Sequence, residues 1–276
     1  MMNISERITA LILEKLAAGT VPWRQPWTID TWPRNLVSQK CYRGINVFLL
    51  TLAGHACPYW LTYRQAKALG GIICKGERGM MVVYWKLLDI VDEEGEEKQI
   101  PLLRYYTVFN LNQCEGIPAP ESPPQAQAHE PLSRCEIILA NMPNPPAVEE
   151  NTVRACYDPN LDKIHLPPRR CFDNAEGFYT TLYHELIHST GHPSRLNRST
   201  VNEASWFGSE NYSKEELIAE MGAAFLCVHT GIENETVNNS AAYIAGWLER
   251  LRNDQRLVIV AAAQAQRAFE YIVKAH

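Results

Sequence analysis

The sequence predicts an α+β chain of two domains, and three observations carry that reading. Segments with helical hydrophobic spacing alternate with short runs rich in β-branched and aromatic residues. Eight of the seventeen prolines fall between Pro118 and Pro146. Charge is divided along the chain: residues up to Leu88 hold 11 Lys/Arg against 4 Asp/Glu, Asp89 to Glu97 hold six acids and no base, and the remainder holds 15 bases and 21 acids. The net charge of −5 over 276 residues excludes a uniformly basic protein, yet it averages over a basic front and an acidic back. At this length a buried core needs no disulfide or structural metal.

The first domain, residues 1–115, opens with an amphipathic helix in which Ile4, Ile8, Leu11, Ile12 and Leu16 share a face and Gly19 supplies the stop. Gly44 to Gly54 reads as a second helix. Thr62 and Gln65 form a capping-box pattern for a third that ends near Leu69. Met80 to Val91 and Leu102 to Leu111 read as two strands of a hairpin around the acidic DEEGEE turn. The stretch EGIPAPESPPQAQAHEP has linker composition and places the boundary at residues 116–131. The second domain, 132–276, begins with a helix from Leu132 to Met142. Strands at Val153 to Tyr157 and Lys163 to Leu166 flank a DPNLD turn. Asp173 with Glu176 opens a helix reaching Thr190, Ser213 opens another through His229, and the alanine-rich tail from Ala241 to Lys274 gives one or two more. No internal repeat is present.

The helix from Asp173 contains His184-Glu185-Leu186-Ile187-His188. Residues four apart share a helix face, so both imidazoles can hold one ion while Glu185 reaches water beside it. Zn²⁺ acidifies water it holds, and a neighbouring carboxylate can take the proton as a carbonyl is attacked, which is amide-hydrolysis chemistry. With this composition about 0.02 such pentapeptides are expected by chance. The competing reading is two histidines on an ordinary surface helix. A catalytic zinc usually has a third protein ligand. Ser194 stands where a metzincin would have its third histidine, and His192 is at the wrong offset. Glu216 and Glu220, four apart in the next helix, remain: one can ligate while the other accepts a proton from a ligand imidazole. Glu216 also matches a capping box with Ser213, and Glu215 reads as a solvated neighbour.

In the first domain, PWRQPWTIDTWPRNLVSQKCYRGIN interleaves Trp23, Trp27, Trp32 and Tyr42 with Arg24, Arg34, Lys40 and Arg43. Single-stranded nucleic acid is held in this manner, cations following phosphates and aromatic faces stacking on bases. Trp60, Tyr63, Arg64, Lys67, Lys75 and Arg78 extend the candidate surface. The competing reading makes these tryptophans the core of a small domain. The eight cysteines show no two-residue spacing and read as reduced, mostly buried hydrophobes; no export signal or membrane span is evident, which points to the cytoplasm.

The blocks WRQPW, PRN, KCYRGIN, LTYRQAKALGGIICKGERG and VVYW resemble the N-terminal domain of ArdC-type antirestriction proteins, also found at the front of some plasmid conjugation primases. The segment YHELIHSTGHPSRLNR, with FGSENYSKEELIAEMGAAFLC after it, resembles the zincin-like metallopeptidase domain of the same family. The resemblance implies a single-stranded-DNA-binding domain followed by a gluzincin, thermolysin-like fold, acting from a conjugative plasmid or mobile element to protect incoming DNA from host restriction. It implies one Zn²⁺, or another divalent metal, on His184, His188 and Glu216, with Glu185 as general base and Glu220 behind the ligands. Asn35 joins Trp23, Arg24, Trp27, Arg34, Lys40, Tyr42 and Arg43 as expected DNA contacts. The implied partners are single-stranded DNA and an unidentified protein substrate, such as a host restriction component. Two other readings stand beside it: a DNA-binding module whose zincin domain is structural or regulatory, and a general cytoplasmic metallopeptidase whose N-terminal domain recognises protein.

Overall fold

The computed structural model describes residues 3–24, 32–91, 97–120, 131–202, 210–232 and 241–273. Trp27, the acidic turn at 92–96 and most of the proline-rich linker lie outside the described residues, as does the side chain of Arg24. The mixed helix and strand content bears out the α+β class, and packing divides the chain into two compact units. One comprises Met1–Ile8 with Thr31–Ser122, the other Thr9–Asp30 with Pro123–His276. By this division residues 9–30, which precede the proline-rich segment by some distance in sequence, group with the C-terminal elements.

The first helix, α1 (Ile4–Ala17), buries Ile8, Ile12 and Leu16 on the face that its spacing marks. In the first unit a four-stranded sheet takes the order β1-β2-β5-β4, from β1 (Arg34–Asn35), β2 (Tyr59–Thr62), β4 (Met80–Val91) and β5 (Glu97–Asn110). β1 runs parallel to β2, and the other pairs are antiparallel. β3 (Ile72–Ile73) pairs separately with β6 (Cys114–Glu115). β2 is buried on both faces. Tyr59 and Leu61 join Leu36, Ala66 and Leu111, while Trp60 joins Leu50, Val82 and Val108. Trp60 is therefore core, not an exposed stacking face. The Thr62–Gln65 capping box opens α3 (Tyr63–Ala68), and α2 (Ile45–Thr51) lies against β4. Asn46 of α2 closes the edge of β4, accepting from the Val83 amide at 2.7 Å and donating to its carbonyl at 2.8 Å.

The second unit is mainly helical: α4 (Pro131–Asn141), α5 (Ala175–Ser189), α6 (Ser199–Asn202), α7 (Glu210–Thr230), α8 (Ala241–Asn253) and α9 (Leu257–Val273). A small sheet, order β7-β9-β8, is built from β7 (Ala147–Glu149), β8 (Cys156–Asp158) and β9 (Lys163–His165). β7, which pairs parallel with β9, lies between prolines and an acidic run and carried no strand signal. α5 starts one residue after the sequence expectation, with Asn174 as N-cap accepting from the Gly177 amide at 2.7 Å. α7 is the central helix, buried almost all round from Leu217 to Val228 between α5 and α9. Gly222 makes its approach to α5 possible, since a Cβ there would lie 2.6 Å from Cδ1 of Ile187.

All eight cysteines are free thiols, but only Cys135 and Cys227 are buried. The expectation that most are core is corrected: three are exposed and three lie at intermediate depth. Among the described residues no helix is long and apolar enough to cross a membrane.

Candidate metal centre

Two helices of the second unit build the site. α5 brings His184 and His188 to one face, their Nε2 atoms 3.1 Å apart. α7 supplies Glu216, whose carboxylate oxygens lie 3.5 Å from His184 Nε2 and 3.6 Å from His188 Nε2. Two ligands about 2.1 Å from a tetrahedral ion stand about 3.4 Å from each other, so the two imidazoles and the carboxylate are already close to the separations that a small divalent ion requires. The donor set, two imidazoles and one carboxylate, leaves further coordination positions open, which suits a catalytic rather than a closed structural site. Among the described residues this is the one triad of metal-ligating side chains with all ligand atoms within 4.8 Å of one another.

Glu216 is free for this role because its competing assignment does not materialise. α7 begins at Glu210, which puts Ser213 inside the helix and removes the capping box. Its carboxyl is held down at about 2: burial alone would raise it, but the His184 hydrogen bond and the charge of both imidazoles prevail. Burial pulls His184 down, yet the bond to Glu216 and the negative charges of Glu185, Glu216 and Glu220 push it up to about 9. A concentration of negative charge around two imidazoles is what a dication would neutralise.

Behind the ligands the arrangement departs from expectation. Glu215, read from sequence as solvated, is buried, and its Oε1 lies 3.2 Å from His188 Nδ1. Arg198 forks onto the same carboxylate at 2.6 and 3.1 Å, and the Thr200 hydroxyl donates to it at 2.6 Å. Burial would raise the Glu215 carboxyl, but the His188 hydrogen bond and the charge and fork of Arg198 hold it at about 2. An ionised Glu215 accepts the Nδ1 proton of His188 and leaves Nε2 as the lone-pair face toward the ligand cluster. Arg198 also donates to the Ile187 carbonyl and the Thr190 hydroxyl, tying the end of α5 to α7.

Glu220, the other sequence candidate, stands one turn beyond Glu216 and accepts a hydrogen bond from the indole of Trp23 at 3.0 Å. It is not in the ligand triad. Trp23 is fully buried in the second unit, edge-on to Trp247 at 5.8 Å, so it presents no face to a nucleic-acid base. That expectation is corrected: an indole beside prolines was claimed by a core.

Glu185 is 7% exposed, and with Cys156, Tyr157, Tyr212 and Glu216 it lines a cavity of about 510 Å³ that opens on the triad. Tyr212, which the sequence gave no reason to single out, donates its phenol proton to Glu216; burial and that carboxylate push the phenol up to about 12. Likewise, nothing in the sequence set the buried Arg198 apart from the exposed arginines.

Other expected DNA contacts fall in the first unit. Lys40 and Arg43 are exposed. Arg34 is half-buried, and its Nε has no hydrogen-bond partner. Tyr42 packs partly into the Leu50–Trp60–Val82–Val108 cluster. Asn35 is occupied internally: its Oδ1 accepts from the Val37 and Ser38 amides, and its amide exchanges hydrogen bonds with Gln65.

Residues 2–109 match the N-terminal domain of anti-restriction factor ArdC, and residues 136–264 match a zincin-like metallopeptidase. The chain is 37% identical to the uncharacterized protein y4eC of Sinorhizobium fredii, the match covering 98% of this chain and 91% of that one. It is 35% identical, over 97% of its length, to a protein of Escherichia coli called DNA primase TraC, of which it spans only 27%. Crystal structures of antirestriction ArdC protein from plasmid R388 superpose with TM-scores of 0.80 (metal-free, 38% identity) and 0.79 (Mn(II)-bound, 36% identity), each match covering 99% of this chain and 98% of the other.

Proposed function

Since this chain belongs to the ArdC antirestriction family, we propose that it protects incoming DNA from host restriction on behalf of a conjugative plasmid or related mobile element. In this reading the first unit binds single-stranded DNA, and the second holds one divalent ion, zinc in the first instance, on His184, His188 and Glu216 for peptide-bond hydrolysis. The observation that carries the hydrolytic part is the placement of buried Glu185 on a cavity wall beside a ready-spaced triad in which it takes no part. A buried carboxylate facing a cleft without belonging to the ligand set has a proton-transfer position and no evident packing role.

A divalent ion at the triad supplies Lewis acidity, polarising a carbonyl and acidifying water. The chain's own residues do the rest. Glu185 accepts a proton from water at its carboxylate and returns it to the leaving amine. Glu215, braced by Arg198 and Thr200, keeps His188 in the Nδ1–H tautomer. Tyr212 orients the Glu216 carboxylate by its hydrogen bond. On the DNA side, exposed Lys40 and Arg43 offer cationic contacts to phosphate.

The test compares wild type with Glu185→Ala for survival of unmodified incoming DNA in a restricting host, with metal content measured alongside. Loss of protection with metal still bound supports hydrolysis. Undiminished protection assigns the zincin domain a structural or regulatory role, and absence of protection by wild type overturns the antirestriction reading.

A further inference from the structure

The β4–β5 ribbon carries an aromatic and cationic surface outside the block that the sequence singled out. In the antiparallel register Met80 faces Val108, Val82 faces Tyr106 and Tyr84 faces Arg104, so these six side chains share one face. The first part of that face is core: Val82 and Val108 are buried under Leu50, Trp60 and Tyr42. Further out along the same face the cover ends. Tyr106 is 49% exposed, Tyr84 57%, and Arg104, opposite Tyr84 and two residues along β5 from Tyr106, is exposed as well. The opposite face differs, since the guanidinium of Arg7 lies 4.9 Å over the Tyr105 ring.

We propose that Tyr84, Tyr106 and Arg104 form the stacking platform for single-stranded DNA, continuous with Arg43 beside the half-buried Tyr42. The proposal rests on the single-stranded-DNA reading above and assigns it a place. Tyr84 and Tyr106 are diagonal cross-strand neighbours, with backbones about 7–8 Å apart, within the reach of two successive bases of an extended strand. Arg104, directly across from Tyr84, puts a cation where a phosphate between those bases would pass. Charge favours a polyanion over a basic partner, since Arg104 is exposed on this face and the chain up to Leu88, which includes Tyr84, carries 11 bases against 4 acids. The first acid of the acidic run, Asp89, pairs with Gln99 five positions beyond Tyr84, about 17 Å along the ribbon. The tryptophans that looked most suited to stacking are unsuited, as Trp23 and Trp60 are both core.

The experiment is fluorescence anisotropy of a labelled oligodeoxythymidylate with the full chain, titrated at several salt concentrations. Tyr84→Ala and Tyr106→Ala should each weaken binding about tenfold or more with the salt dependence unchanged, whereas the two Phe substitutions retain affinity because stacking needs the ring and not the hydroxyl. Arg104→Ala should lower the slope of log K against log salt by about 0.7, the loss of one phosphate contact. Tyr105→Ala, on the opposite face, should stay within twofold. Wild-type binding that survives the Tyr84 and Tyr106 alanine changes in folded protein overturns the platform alone and leaves the patch to a protein partner. Equal weakening by Tyr105→Ala overturns the face assignment. No oligonucleotide binding by wild type overturns the single-stranded-DNA reading and the platform with it.

Discussion

Arg198→Ala tests the framework behind the ligands. The guanidinium and the Glu215 carboxylate are both almost fully buried, 6% and 7% exposed at the side chain, and they meet in a two-pronged contact. Removing the arginine strands a buried carboxylate that keeps only Thr200 and His188 for partners, and breaking a buried pair from one side costs about 3–5 kcal/mol. It also deletes the link to the Ile187 carbonyl. For a unit of this size 1 kcal/mol moves Tm by about 2–4 °C, so thermal unfolding of the metal-free chain should fall by about 6–20 °C. His188 loses its orientation as well, and outer partners of ligand histidines are worth about 10–100-fold in metal affinity. Differential scanning calorimetry and chelator competition read the two effects. Arg198→Lys keeps the charge without the fork and should fall between wild type and alanine. A Tm change below about 3 °C together with metal affinity within twofold of wild type would refute the assigned role.

Other consequences are as direct. Glu216→Gln should weaken metal binding far more than Glu220→Gln in the same competition assay, since only Glu216 lies in the triad. His184 is raised to about 9 in the metal-free chain, so its pairing with Glu216 stabilises fully below its ordinary pKa of about 6.5 and is lost as pH rises through 9. Metal must displace that proton; affinity should therefore climb from pH 7 to 9 then flatten, and calorimetry in buffers of different ionisation enthalpy should register about one proton released at pH 7. Gly222→Ala should push α7 from α5 at Ile187, lowering both Tm and metal affinity, because the new Cβ has no room. Trp23→Phe keeps the packing on Trp247 but leaves Glu220 without the indole donor, costing about 1–3 kcal/mol in denaturant unfolding.

What could be read from sequence was what local spacing determines. The His184–His188 face, the helix that carries it, the Thr62–Gln65 cap and the β4–β5 hairpin all follow from residues a few positions apart. Glu216 was recognisable as one of two carboxylates, because four-residue spacing leaves both on the same face and only the depth of α7 against α5 selects between them. Glu215 was misread because adjacent glutamates on a helix point about 100° apart, and which of them turns inward depends on Arg198, seventeen residues earlier in a loop. The tryptophans failed for a related reason. An indole beside a proline satisfies stacking chemistry and core packing equally well in sequence, and Trp23 finds its partners on α7 and α8, some two hundred residues away.

The central assignment is the place where an ion binds. Anomalous diffraction from crystals soaked with Mn²⁺ or Zn²⁺ should place a single peak about 2.1 Å from His184 Nε2, His188 Nε2 and a Glu216 oxygen, with Glu215 still on His188 Nδ1 and Glu185 outside the ligand set. A peak ligated by Glu220 or Glu185 in place of Glu216, or crystals that take up no ion at this triad, would contradict it.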